Sequence, residues 1–395
     1  MQIYNSQSQQ LEPFTSESGK VGIYVCGVTP YDTTHLGHAF TFLTFDILVR
    51  YLRYKGYDVT YVQNVTDIDD DILRKSNEVG MNWMELAQKE TRRYREDMRN
   101  LNALEFDHYV AATEHIQQVV ENVAALLDAG VAYEVNGSVY YSVAKAPGFG
   151  KLSHLPHEEM LPIANERGNK PDDPNKQDPL DFLLWQGAIP GEPSWPAPWG
   201  AGRPGWHIEC TAMSRYYLGD QIDIHGGGYD LIFPHHEAEI AQAESVTGKE
   251  PFVRYWMHVA MVDYQGEKMS KSLGNLVYTR DLLKAHSADA IRLCLFQHHY
   301  RFPWEFFDGD MDGCDDAAEH LRSAVNAQGG DGALLDPAPW RDKFLAALDN
   351  DLDTPRAIDA LSELAGEIHA AGDRNITEAT STLRELGGLL GLSFR

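Results

Sequence analysis

Short apolar, β-prone runs alternate with longer amphipathic stretches through the first 286 residues. Gly22-Ile23-Tyr24-Val25 reads as a buried strand, followed by a turn rich in Thr, Pro and Asp and a helix through Ala39–Arg50. Asp58–Val65 predicts a second strand, and Trp83–Arg99 and His115–Ala129 predict helices. Gly137–Tyr141 is a further short strand. From Ala146 to Gly205 the chain is rich in Pro and Gly, which reads as an insertion. Regular order returns at Trp206-His207-Ile208-Glu209-Cys210, taken as ending in a strand, and at the strand Gln221–His225. The loop Gly226–Asp230, a helix His235–Thr247 and a strand Tyr255–Val262 follow. From about Ser287 the pattern is helical, with a break at Gly329–Pro339. This predicts a parallel α/β domain over 1–286, carrying an insertion at about 110–205, and a helical domain over 287–395. Ligands of such sheets sit at the carboxyl ends of the strands.

A chain of 395 residues suits two or three domains, and 43% hydrophobic residues suffice for well-packed cores. No apolar run reaches membrane-spanning length. Met1–Gln7 has neither a basic nor an apolar region, so no secretory signal is expected and the cytoplasm is. Four cysteines are too few for a disulfide framework; Cys294 and Cys314 are expected as one core and one surface thiol. The formal charge of −26 argues against broad, non-specific nucleic-acid binding, though not against a local basic patch.

Three clusters carry chemistry. His35-Leu36-Gly37-His38 stands at the mouth of the first helix, where backbone amides favour an anion and Gly37 permits close approach. The loop Lys268-Met269-Ser270-Lys271-Ser272 suits charge developing on a leaving pyrophosphate, although such a loop alone is ordinary solvated surface. Cys26, Cys210, His235 and Glu239 make a reasonable tetrahedral zinc set, with His235 and Glu239 four apart on one helix face. By spacing alone two buried structural cysteines are the simpler reading. The carboxylates of Thr66-Asp67-Ile68-Asp69-Asp70-Asp71 fit a helix N-terminus better than a hard cation.

The histidine and lysine clusters, in that order, resemble the signature pair of class I aminoacyl-tRNA synthetases. With Cys26, Gly205–Cys210, the glycine triplet and Phe233-Pro234-His235-His236-Glu237, the chain from about Ile3 to Leu392 resembles the cysteinyl-tRNA synthetase family. That family includes the ligase joining cysteine to glucosaminyl-inositol in mycothiol biosynthesis. The resemblance implies a Rossmann-like catalytic domain, cysteine activation by ATP with Mg2+, and one zinc per chain that captures the substrate thiolate. It implies that Cys26, Thr29, Thr66, Trp206 and Asp32 serve the substrates, and that Gly37, Gly226, Gly227, Gly228 and Asp230 hold the nucleotide. His35 and His38 would meet the phosphates, and Lys268 and Lys271 the pyrophosphate. Thr29-Pro30-Tyr31-Asp32, His38 and the segment Leu161–Trp185 look closer to the amino-sugar ligase, as does a chain stopping at Leu389–Leu392. Glu239 and Gly266–Asn275 look closer to the synthetase. The expected acceptor is the sugar amine, with Asp32 and His38 assisting its deprotonation; tRNA is the alternative. A monomer without membrane contact is expected.

Overall fold

The computed structural model describes residues 1–31, 34–269 and 273–395. The expectations for Asp32 and Lys271 lie outside the described residues.

The chain opens with a hairpin, β1 (Gln2–Asn5) and β2 (Gln10–Pro13). The next elements are β3 (Lys20–Val28), α1 (Leu36–Tyr54), β4 (Asp58–Val65), α2 (Asp70–Val79), α3 (Trp83–Asn100) and β5 (His108–Ala111). Then come α4 (Ile116–Asp128), β6 (Ala132–Val135), β7 (Ser138–Tyr141), α5 (His157–Glu166), β8 (Phe182–Gly187) and β9 (Gly202–Pro204). They are followed by α6 (Trp206–Leu218), β10 (Ile222–Gly228), α7 (Glu237–Thr247), β11 (Val253–Val259), β12 (Val262–Tyr264) and β13 (Glu267–Lys268). The rest comprises α8 (Thr279–Leu282), α9 (Ala288–Phe296), β14 (Trp304–Phe306), α10 (Asp310–Val325), α11 (Ala338–Asp349), α12 (Thr354–His369) and α13 (Thr377–Leu389).

A five-stranded parallel sheet, ordered β11-β10-β3-β4-β5, forms the centre. β3 and β4 are buried almost end to end, as strands covered on both faces must be. α1 explains much of that cover: thirteen of its nineteen residues are buried, because it lies between the sheet and the C-terminal helices. A separate antiparallel sheet, β6-β7-β8-β9, holds the Pro/Gly-rich stretch, with its own apolar core around Val139, Leu184 and Trp185.

Three local expectations need correction. Trp206–Cys210 begins helix α6 and does not end a strand, so Cys210 is presented from a helix. The glycine triplet belongs to β10 and not to a loop: a Cβ on Gly226 would lie 2.5 Å from Met257 O and 2.2 Å from the Phe45 ring, so small residues here let the strand pack. Cys314 is buried like Cys294, since α10 turns it toward α9. No helix among the described residues is long and apolar enough to cross a membrane.

Candidate functional site

The site lies at the carboxyl ends of the central strands, and a backbone irregularity builds its first part. Between Val25 and Val28 the register of β3 slips against β4, putting two β3 residues opposite Asn64. Gly27 donates its amide to Asn64 Oδ1 at 2.8 Å, and a Cβ there would stand 1.7 Å from Asn64 O. This bulge fixes Cys26 among residues from two other elements.

Cys26, Cys210, His235 and Glu239 each bring a ligand atom into a group spanning no more than 4.8 Å, all buried. Cys26 Sγ lies 3.5 Å from Glu239 Oε1, and His235 Nε2 lies 3.2 Å from the same oxygen. His207 Nδ1 meets His235 Nδ1 at 2.9 Å, which leaves Nε2 as the inward atom of His235. Glu239 Oε2 is buried with no hydrogen-bond partner. Burial pushes the Cys26 thiol and the Glu239 carboxyl upward and His235 downward, so protein alone favours all three neutral. Two sulfurs, an imidazole and a carboxylate with an orphaned oxygen are a fitting donor set for zinc.

Sequence reasoning missed the histidines around this group. His225 Nε2 is 3.5 Å from Cys26 Sγ, and His225 and His236 complete a second possible ligand group with Cys26 and Glu239. His236 Nδ1 meets His258 Nε2 at 2.8 Å, and His258 Nδ1 meets Ser6 Oγ at 2.8 Å. Burial lowers His207 and His258 to about 3, so both are neutral near pH 7. The signal was adjacency: His236 follows His235, and His225 precedes the glycines. Tyr24 was missed too; its hydroxyl is buried beside Cys210, Cys26 and Glu239, and burial pushes it well above its ordinary value.

The turn carrying His35 and His38 is built by stitching two distant segments. His35 caps α1, its ring stacks on His38 with centroids 3.7 Å apart, and its Nδ1 accepts the His38 amide at 3.4 Å. Leu36 N donates to Val277 O at 2.9 Å and Thr279 N to Thr34 O at 3.1 Å, so the histidine turn is bonded to the chain just past the lysine loop. Lys268 Nζ reaches Asp230 Oδ2 at 3.0 Å, joining that loop to the end of the glycine strand. A Cβ on Gly227 would approach His236 Cε1 at 3.4 Å and Cys26 Cβ at 3.7 Å, which connects the glycines to the ligand group. Gly37 lies against His35, at 3.1 Å from its ring to a notional Cβ.

Trp206 stacks on His235 with centroids 4.2 Å apart, and Thr66 is buried beside Asn64. Thr29, expected against substrate, donates its hydroxyl to Asp69 Oδ2 at 3.1 Å. The carboxylates are each engaged: Asp69 caps α2 through Ile72 N at 2.7 Å, and Asp67 accepts from the Thr113 amide at 2.9 Å. Asp71 accepts from the Tyr31 hydroxyl at 2.9 Å, and Asp70 pairs with Arg203.

Known proteins bear on what this arrangement serves. Residues 13–315 match the family model described as tRNA synthetases class I (C) catalytic domain, and residues 343–395 match the DALR domain. Cysteine–tRNA ligases of Dehalococcoides mccartyi (strain ATCC BAA-2266) and Legionella pneumophila (strain Paris) are each 45% identical. They cover 100% and 99% of this chain and 86% and 85% of their own. The Frankia casuarinae L-cysteine:1D-myo-inositol 2-amino-2-deoxy-alpha-D-glucopyranoside ligase is 48% identical over 345 residues, 87% of this chain and 74% of that protein. The structure of Mycobacterium tuberculosis methionyl-tRNA synthetase with methionyl-adenylate shares the fold at 16% identity, with a TM-score of 0.66 over 94% of this chain and 89% of that one. The expectation of a sugar-amine acceptor is therefore corrected. Likeness along the whole chain runs to cysteine–tRNA ligases, whereas the features that favoured the amine were a few short stretches. The histidine and lysine signatures, the cysteine pair and the sheet that gathers them all accord with one assignment: the chain belongs to the class I cysteinyl-tRNA synthetase family of ATP-dependent cysteine ligases.

Proposed function

We propose that the chain activates L-cysteine with ATP and Mg2+ to cysteinyl-adenylate and pyrophosphate, then transfers the cysteinyl group to the terminal ribose hydroxyl of a tRNA. The observation that carries this reading is a buried sulfur-bearing donor set on the same strand ends as the histidine-capped mouth of α1. Cys26, Cys210, His235 and Glu239 would hold one zinc ion, which supplies a soft Lewis-acidic seat for a thiolate where a serine hydroxyl competes poorly.

The chain's own residues do the rest. The amide end of α1, with His35 and His38, meets the triphosphate, and Gly37 keeps that approach open. Lys268 and Lys271 act on charge that builds on the departing pyrophosphate. Gly226, Gly227 and Gly228 leave a flat strand for the adenosine, with Asp230 at its end. Trp206 and Thr66 flank the cysteine. Thr29 holds the turn through Asp69 and contributes by position. We assign residues 1–286 to the catalytic unit with its insertion at about 110–205 and 287–395 to the helical unit, acting as a monomer in the cytoplasm.

The test is cysteine-dependent exchange of pyrophosphate into ATP, run beside acid-precipitable charging of tRNA. Expected are exchange with cysteine, at least about a hundredfold less with serine, and charging that requires tRNA bearing the cysteine anticodon. Exchange with serine near the cysteine rate overturns the account of the donor set. Exchange without any charging overturns the acceptor.

A further inference from the structure

The cations of this acidic chain are not spread evenly. Lys and Arg number 33 among 395 residues, against 59 Asp and Glu. Yet α3 alone carries Lys89, Arg92, Arg93, Arg95 and Arg99 in eighteen residues. Its own acids cancel only part of this: Arg93 pairs with Glu90 at 3.6 Å, while Glu90 and Asp97 turn inward and are 5% and 4% exposed. Glu85 and Glu96 are left on the solvent side with five exposed cations. Lys89 and Arg92 have no ion-pair partner among the described residues, and Arg95 and Arg99 share the single carboxylate of Glu105, at 2.9 Å each. Arg92, Arg95 and Arg99 recur at i, i+3 and i+7, with Lys89 and Arg93 beside them at i and i+4. At ~1.5 Å per residue the stripe from 89 to 99 is about 15 Å long, enough to meet several phosphates of a nucleic-acid strand.

The inner side of the same helix faces the candidate site. Tyr94 packs edge-on against Phe42 of α1 with centroids 5.5 Å apart, and Phe42 stacks in turn with His38 at 6.2 Å. The Tyr94 hydroxyl donates to Gln63 Oε1 of β4 at 2.7 Å. The basic face is thus the outside of the helix that backs the histidine turn, roughly one helix diameter, about 10 Å, from it. A nucleic acid whose 3′ end enters at His35 and His38 has its adjoining duplex within reach of this face.

We propose that the exposed face of α3, centred on Lys89 and Arg92, is the docking surface for the phosphate backbone next to the 3′ end of the tRNA. The proposal rests on the tRNA-charging reading above. It also reconciles a charge of −26 with a polyanionic substrate, because binding then depends on segregated cations and not on the net field.

The experiment compares the wild-type chain, the double variant Lys89→Glu/Arg92→Glu, and a charge-matched control, Lys20→Glu/Lys249→Glu, at the opposite end of the sheet. Pyrophosphate exchange without RNA reports folding and activation, and is expected unchanged in all three. For the α3 variant, charging kcat/KM falls about tenfold or more at moderate salt, and the slope of log KM against log salt flattens by about one per lost phosphate contact. The control charges within about twofold of wild type, since phosphate contacts act locally. An α3 variant that charges with the wild-type KM and salt slope overturns this surface alone. So does a control that loses as much, because the effect is then diffuse charge. A wild-type enzyme that exchanges pyrophosphate but charges no tRNA overturns the charging reading, and this surface with it.

Discussion

Asp69 illustrates how one side chain near the site is held against its own chemistry. Burial, the largest cause, raises its carboxyl to about 6 from the ordinary 3.8, although the Ile72 amide and the Thr29 hydroxyl both hydrogen-bond to it. A raised value means that the folded chain binds this proton more tightly than the unfolded one. The stability it contributes is therefore fully present below about pH 4 and is lost as the pH rises through about 6. Asn at this position caps a helix equally well. Asp69→Asn is expected to raise the thermal midpoint at pH 7.5, by an amount worth about 1 kcal/mol, and to match wild type at pH 4. A variant less stable than wild type at pH 7.5 refutes this, and would mean that the ionised cap outweighs its burial.

At the scale of an element, the bulge in β3 decides the chemistry. A regular strand pairing Val25 with Gln63 would keep strict alternation, and the slip before Val28 changes where Cys26 sits relative to α6 and α7. Gly27 makes the slip feasible, since any side chain would run into the backbone oxygen of Asn64. Rotamer choice relieves nothing at a Cβ. Gly27→Ala is expected to cost about 2–3 kcal/mol and to lower bound zinc per chain, measured by elemental analysis after gel filtration. An alanine variant with full zinc content and an unchanged midpoint would show that the bulge adapts.

Across the whole molecule, one buried guanidinium is among the contacts that tie α1 and the end of α3 to the C-terminal helices. Arg292 of α9 donates Nε to Leu390 O at 2.7 Å and Nη1 to Leu101 O at 2.8 Å, and pairs with Asp46 of α1. Gly391, at φ 75°, lies so close that a Cβ would stand 2.1 Å from Arg292 Nη2. Removing one partner of a buried pair strands the other, so Arg292→Met is expected to cost about 3 kcal/mol. The readouts are a thermal midpoint lowered by several degrees and a matching drop in the urea midpoint. Unchanged midpoints would mean that Arg50, 3.0 Å from Asp46, compensates fully.

Much of this was legible without coordinates, for physical reasons. Period-two and period-3.6 patterning marked the strand Asp58–Val65 and the helix from Trp83, because burial on a sheet or helix face constrains residue type directly. The histidine and lysine signatures stood out because they are contiguous. What is assembled through space was not legible. The glycine triplet read as a loop because glycine's turn preference is local, while its use here is to admit Phe45 and Met257. Cys210 read as the end of a strand because Ile208-Glu209-Cys210 is short and apolar enough for either element. The second ring of histidines, the bulge at Gly27 and the inward turn of Glu90 and Asp97 depend on which faces meet. The sequence by itself determined the parallel α/β core, the helical tail and the motif residues, since each follows from neighbours along the chain. Only the tertiary structure decided that Cys26, Cys210, His235 and Glu239 converge and that α3 turns its cations outward, because both depend on contacts between residues far apart in sequence.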